Sequence, residues 1–181
     1  MRVSVFVSTL LFGCAVASPV SAQSRPPASI GIGYQILHIP DETYPFGITV
    51  DVVTPGSGGG LGLVADFGYA RDQQTKQGVS GTLQFWNFGA GVRWTGVAGS
   101  ATARPYVQLV LGGVHTNAHM TQGIVSFQDE DTVFMLQPGI GVVTGGRLAV
   151  FAQLDYRRAY FTDTGENEVR GIVGVRIGGG R

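Results

Sequence analysis

The chain has 181 residues, 12 of them Lys or Arg and 12 Asp or Glu, so its formal net charge is zero. Only 13% of the residues are charged, against about 25% in ordinary soluble domains, and Lys76 is the sole lysine. That balance leaves no basic footprint for nucleic acid and too little charge to cover a fully water-facing surface.

The N-terminal residues read as an export leader. Arg2 supplies a positive start, Val3 to Ala17 is mostly apolar, and Val20-Ser21-Ala22 offers the small residues that precede signal-peptidase cleavage, with Gln23 as the mature start. A transmembrane anchor is the alternative, but the apolar stretch falls short of the roughly 20 residues a spanning helix needs, and Pro19 closes it. Cys14, the only cysteine, lies in LFGC, a loose match to a lipidation box in which Phe12 is bulky. Cleavage after Ala22 removes Cys14, and with it any disulfide, thiol nucleophile or thiolate metal site. It also removes Arg2, which takes the mature net charge to about −1. The expected organisation is a leader over 1–22, a short segment over 23–28 and one barrel domain over 29–178.

From Ser29 onward every second residue tends to be apolar. The pattern predicts strands near Ser29–His38, Phe46–Val53, Gly60–Ala70, Gly81–Trp94, Pro105–Thr116, Thr132–Val143, Arg147–Tyr160 and Glu168–Ile177. Over Arg147–Arg157, for instance, Leu148, Val150, Ala152, Leu154 and Tyr156 share one face, and Arg147, Gln153, Asp155 and Arg157 the other. The connections alternate in kind. Thr54–Gly59, Thr95–Arg104 and Thr144–Gly146 are rich in Gly, Ser, Thr and Ala; the others are more acidic and polar and carry Asp41 and Glu42, Arg71–Gln77, Asp129-Glu130-Asp131, and Asp163, Glu166 and Glu168. Two kinds of connection in alternation predict two different sides of an eight-stranded antiparallel up-and-down barrel, the acidic set facing the cell exterior.

A soluble lipocalin-like barrel has the same period with its apolar face inside, so composition must choose. The less apolar face carries Gly33, Gln35, Asp51, Asp66, Asn87, Gly89, Gly91, Arg93, Gln137, Gly139, Gly141, Asp155, Arg157, Arg170 and Arg176. It is too rich in glycine and too poor in Lys and Glu for a solvated exterior. It suits a crowded lumen, where Asp51, Asp66 and Asp155 are neutralised by Arg93, Arg157, Arg170 and Arg176, and an eight-stranded barrel is just narrow enough to be filled by side chains. The expectation is a plug and no open pore. The opposite face reads as lipid-exposed: Phe46, Ile48, Val50 and Val52; Leu61, Leu63, Ala65, Phe67 and Tyr69; Val107, Leu109 and Leu111; Val169, Val173, Val175 and Ile177. Interfacial girdles are expected from Phe46, Tyr69, Phe134, Tyr160 and Phe161 on the outer side and from Trp94 and Tyr106 on the periplasmic side. Pro138 cannot donate to a ladder and is expected to need a bulge.

The leader, the glycine-punctuated stretches SIGIGYQI, FGAGVRW and QPGIGVV, and the closing pair LAVFAQLDYRRAY and VRGIVGVRIGG resemble the small outer-membrane β-barrel proteins of the opacity and OmpX-like type. The resemblance spans nearly the whole mature chain. It implies a membrane-surface, adhesive or structural role without catalysis, and as partners outer-membrane lipids and lipopolysaccharide, the barrel assembly machinery and an extracellular ligand. Members of that family usually end on an aromatic residue read by the assembly machinery, whereas this chain ends Ile177-Gly178-Gly179-Gly180-Arg181.

Enzymatic readings find little support. His115-Thr116-Asn117-Ala118-His119 would bring two imidazoles to one face of a helix, but it falls where a strand runs into a loop. Barrel-type lipid deacylases carry His-x-Ser, and none of His38, His115 or His119 is followed by Ser two residues on. No complete GxGxxG or GxxxxGK[ST] occurs. Asp129-Glu130-Asp131, in an outer loop, raises the question of a calcium site against that of a plain solvated loop. No catalytic, cofactor or metal residue is assigned. The reading is an integral outer-membrane surface protein, with a soluble periplasmic ligand-binding barrel and a lipid-modifying barrel enzyme as alternatives.

Overall fold

The structure is a computed structural model that describes residues 28–39, 42–54, 60–76, 79–96, 103–122, 125–144, 146–160 and 165–178. The expected leader with Cys14, together with Asp41, Gln77, Phe161, Asp163 and residues 179–181, lies outside them. Eight strands follow one another: β1 Ser29–Ile39, β2 Glu42–Thr54, β3 Leu61–Lys76, β4 Val79–Thr95, β5 Ala103–Gln122, β6 Val125–Thr144, β7 Leu148–Tyr160 and β8 Gly165–Gly178. Each pairs antiparallel with its chain neighbours, and β8 closes on β1 from Ser29↔Gly178 to His38↔Val169, completing a barrel. Among the described residues there is no helix, so a membrane could be crossed only by strands.

The fold class and strand order are those expected from the alternation. Bounds agree closely at the near end, which carries Ser29 and Gly178. They differ at the far end, where β5 and β6 reach 20 residues each while β1 has 11. The ladders of β3–β4, β4–β5 and β5–β6 run on to Lys76↔Val79, Val79↔Gln122 and Gln122↔Val125. Their flanks end sooner: β2–β3 stops at Gly47↔Ala70, and β6–β7 begins at Phe134↔Tyr160. A four-stranded sheet therefore projects beyond the barrel wall. Residues 117–119 and 128–131 are polar apart from Ala118, so the apolar alternation that marks a strand is weak there although the strands continue.

The bulge expected at Pro138 is not found there. Pro138 pairs with Leu109 on one side, and on the other the β6–β7 ladder skips Gln137 and Pro138 without a change of register. The bulge is in β2, where the register shifts between Gln35↔Gly47 and Leu37↔Tyr44. Pro45 and Phe46 occupy the extra position and are both exposed, and the Tyr34 hydroxyl donates to the Pro45 carbonyl.

Inward-facing apolar side chains pack in two clusters within the barrel. Leu37, Tyr44, Ala70, Phe85, Val114, Val133 and Ala159 form an apolar layer toward the far end, with the Tyr44 and Phe85 rings edge to face at 4.8 Å. Tyr106, Val143, Ala149, Phe151 and Ile172 form another toward the near end. Between these layers lies the polar cluster described next.

Candidate functional site

Alternation along each strand sends one side chain in two into the lumen, and here many of those side chains are charged. Arg170 on β8 is the hub. Its guanidinium donates to Asp66 of β3 at 2.9 Å and to Asp155 of β7 at 2.7 Å, and also to Gln35 of β1 at 3.3 Å. Asp51 of β2 accepts from Arg93 of β4 at 2.8 Å and from Arg176 of β8. Arg93 also donates to Gln108 of β5 at 2.9 Å, and the Gln108 amide reaches Asp155. Arg157 donates to Gln137 of β6 at 2.9 Å and to Glu168 at 3.0 Å. The Gln137 amide also donates to Asp155 at 3.4 Å, so one connected network touches every strand of the barrel. Charges taken out of water survive only when paired and hydrogen-bonded, which accounts for the amides placed between them.

The inward set read from the sequence is the observed one, with three changes. Arg157 pairs with Glu168, not with one of the three aspartates. Glu168, expected in an outer acidic loop, is buried because it shares the inward parity of Arg170. Tyr106, expected in the periplasmic girdle, also turns inward: its hydroxyl donates to Gln153 at 2.8 Å, and the Arg93 guanidinium lies 4.3 Å from its ring centre. The outward positions Val107, Leu109 and Leu111 already fixed that parity, and the usual preference of tyrosine for membrane interfaces does not override it.

Glycine makes the room. Gly31 stands directly across from Asp51, Gly68 from Asn87 and Gly139 from Asp155. A Cβ at any of the three would collide with that partner's side-chain oxygen. The glycine-rich face is thus the complement of large polar side chains on the adjacent strand.

Outward, the wall is apolar on all eight strands, from Ile30, Ile32 and Ile36 on β1 round to Val173, Val175 and Ile177 on β8. Phe46, Phe134 and Tyr160 point outward toward the far end and Trp94 does so at the near end, as expected. Trp86 joins the far group, its ring centre 4.3 Å from that of Tyr69 and 5.7 Å from that of Phe67.

Above that aromatic level, the outer face of the projecting sheet turns polar in three successive cross-strand rows. Tyr69, Trp86, His115 and Thr132 form the first, Arg71, Gln84, Asn117 and Glu130 the second, and Gln73, Thr82, His119 and Gln128 the third. His115 Nδ1 is 2.8 Å from the Thr132 hydroxyl, and Glu130 accepts from Asn117 at 3.0 Å and from Gln128 at 2.7 Å. His115 and His119 lie within β5 and not at a strand-to-loop junction; four residues apart on a strand, their backbones are about 13 Å apart. Asp129-Glu130-Asp131 belongs to β6 and not to a loop. Strand alternation sends Glu130 to the outer face and both aspartates to the opposite one, which disperses the carboxylates a calcium ion would need together.

No protein-family model matches the chain, and no curated protein matches its sequence. Solved structures match its shape. Ail, the attachment invasion locus protein of Yersinia pestis, superposes with a TM-score of 0.57 at 15% identity, over 83% of this chain and 96% of that one. Neisserial surface protein A does so with a TM-score of 0.60 at 13% identity, over 83% and 94%. A major outer membrane protein from Thermus thermophilus matches with a TM-score of 0.60 at 10% identity, over 83% and 99%. At such identities the likeness is one of fold, and the fold is that of the small eight-stranded outer-membrane barrels.

Proposed function

We propose that this chain is an integral outer-membrane protein of a diderm bacterium, its lumen closed by side chains and its projecting sheet held at the cell exterior as a structural or adhesive surface. The observation that carries the reading is inverted polarity. Phe46 and Leu148 are 70% and 69% exposed on the outside of the wall, whereas Arg170 and Asp155 inside it are 0% exposed. Water would favour the reverse arrangement, and a lipid solvent favours this one. A soluble lipocalin-like barrel would place the apolar face within. The buried network from Ser29 to Arg176 supports a plug. No residue constellation supports catalysis, so no catalytic role is assigned.

Partners follow from position. Outer-membrane lipids meet the apolar belt, lipopolysaccharide sugars meet the polar rows above Tyr69 and Trp86, and the assembly machinery receives β8. The two relatives whose names refer to attachment or to the surface, Ail and Neisserial surface protein A, make an adhesive role the natural one to test. The experiment is cell fractionation followed by electrophoresis with and without boiling. Recovery in the outer membrane with a heat-dependent mobility shift is expected. Recovery as a soluble periplasmic protein with no shift would overturn the proposal in favour of a ligand-binding barrel.

A further inference from the structure

The projecting sheet has two open sides. On β3, residues 71–76 lie beyond the last pair with β2, and on β6, residues 125–133 lie before the first pair with β7. An open strand edge is a row of unpaired N–H and C=O groups and a template for another strand, so exposed edges of this length are usually blunted. Each of these edges carries the same device. The Asp72 carboxylate accepts from the N–H of Gln73 at 2.9 Å, and the Asp131 carboxylate accepts from the N–H of Thr132 at 2.8 Å. In both cases an aspartate folds back onto the amide that follows it, beyond the last pair its strand makes with the flanking strand.

We propose that Asp72 and Asp131 are edge caps: each occupies an N–H group of one of the two open edges and so prevents strand addition. Contacts of the outer sheet with partners then run through its faces. The likeliest intruder in geometric terms is a second copy. Antiparallel pairing of two β6 edges relates the copies by a two-fold axis normal to the sheet, which inverts one barrel relative to the other and joins facing membranes. Asp129, Glu130 and Asp131 would then meet their own counterparts, adding like-charge repulsion to the missing donor. The triplet that resembled a cation site in the sequence is, on this account, a guard on an edge.

The test uses the full-length barrel reconstituted in lipid vesicles, with the heat-dependent shift as the check of insertion. Asp72→Thr/Asp131→Thr removes both acceptors and keeps residues suited to strands. Asp72→Asn/Asp131→Asn keeps an acceptor oxygen and removes the charge. Vesicles carrying the original protein or the Asn pair are expected to stay dispersed, and those carrying the Thr pair to clump. Dispersed Thr-pair vesicles with the shift retained would overturn the capping role while leaving membrane insertion untouched, and clumping of the Asn pair to the same extent would assign the effect to charge alone. A second readout needs no variant. Thr132 and Glu130 amides point to the same side of β6, so the Thr132 amide should exchange with solvent roughly fivefold more slowly than that of Glu130 if the carboxylate holds it. Equal exchange would contradict the cap even if a variant failed to insert.

Discussion

The barrel body and the sheet that projects from it are made of the same strands, yet they are held together in opposite ways. In the body, β3–β6 have an apolar face toward the outside and an inner face of ion pairs, amides and glycines, so each position is constrained by both neighbours and solvent. In the projection the outer face is polar, and the strands are held by their ladders and by short polar contacts such as Asn117 with Glu130 and Gln73 with Thr82. The lesson is that burial makes the body costly to alter and leaves the projection free to vary, which is the arrangement expected where a rigid scaffold displays a variable surface.

That contrast can be broken most severely at Arg170. Arg170→Met leaves Asp66 and Asp155 buried without their shared partner and is expected to cost about 3–5 kcal/mol, read from the urea midpoint of the vesicle-inserted barrel. The Arg157→Leu/Glu168→Leu double change, which removes both charges, should cost much less than Glu168→Leu alone; the opposite order would show that the buried pair is not coupled. On the lipid side, Leu111 lies midway along the apolar stretch of β5, and Leu111→Arg should destabilise by about 2–4 kcal/mol in the same assay. Gly139→Val should cost about 1–3 kcal/mol through its collision with the Asp155 carboxylate, and the same change should cost less when made on an Asp155→Ala background than on the original barrel. In the projection, Asn117→Ala should shift the midpoint by no more than about 0.5 kcal/mol, and a loss comparable to that at Arg170 would erase the distinction between the two regions.

Much of the body was legible because its two faces differ. An apolar face outside and packed polar groups inside impose a strict period of two, and that period gives the inward set from Gln35 to Arg176 and the outward belt. Tyr106 and Glu168 were misread where residue type was allowed to outweigh parity. The pairing of Arg157 with Glu168 depends on heights along neighbouring strands, which a pattern within one strand does not contain. The far ends of β3–β6 left little signal because their outer face turns polar, as at His115, Asn117, Gln128 and Glu130, and the outward apolar positions of the body stop there. Pro45 produced the bulge that Pro138 did not, since Pro138 sits where one side of the ladder is skipped without a register change.

The central claim is that the apolar face meets lipid and the charged face does not. It is tested most directly on β7 by placing a fluorophore through single cysteines in turn at Val150, Phe151, Ala152, Gln153, Leu154, Asp155 and Tyr156, in vesicles of brominated lipid. Quenching that alternates, strong at Val150, Ala152, Leu154 and Tyr156 and weak at Phe151, Gln153 and Asp155, is the predicted result. Strong quenching at Phe151, Gln153 and Asp155, or none at any position, would contradict it.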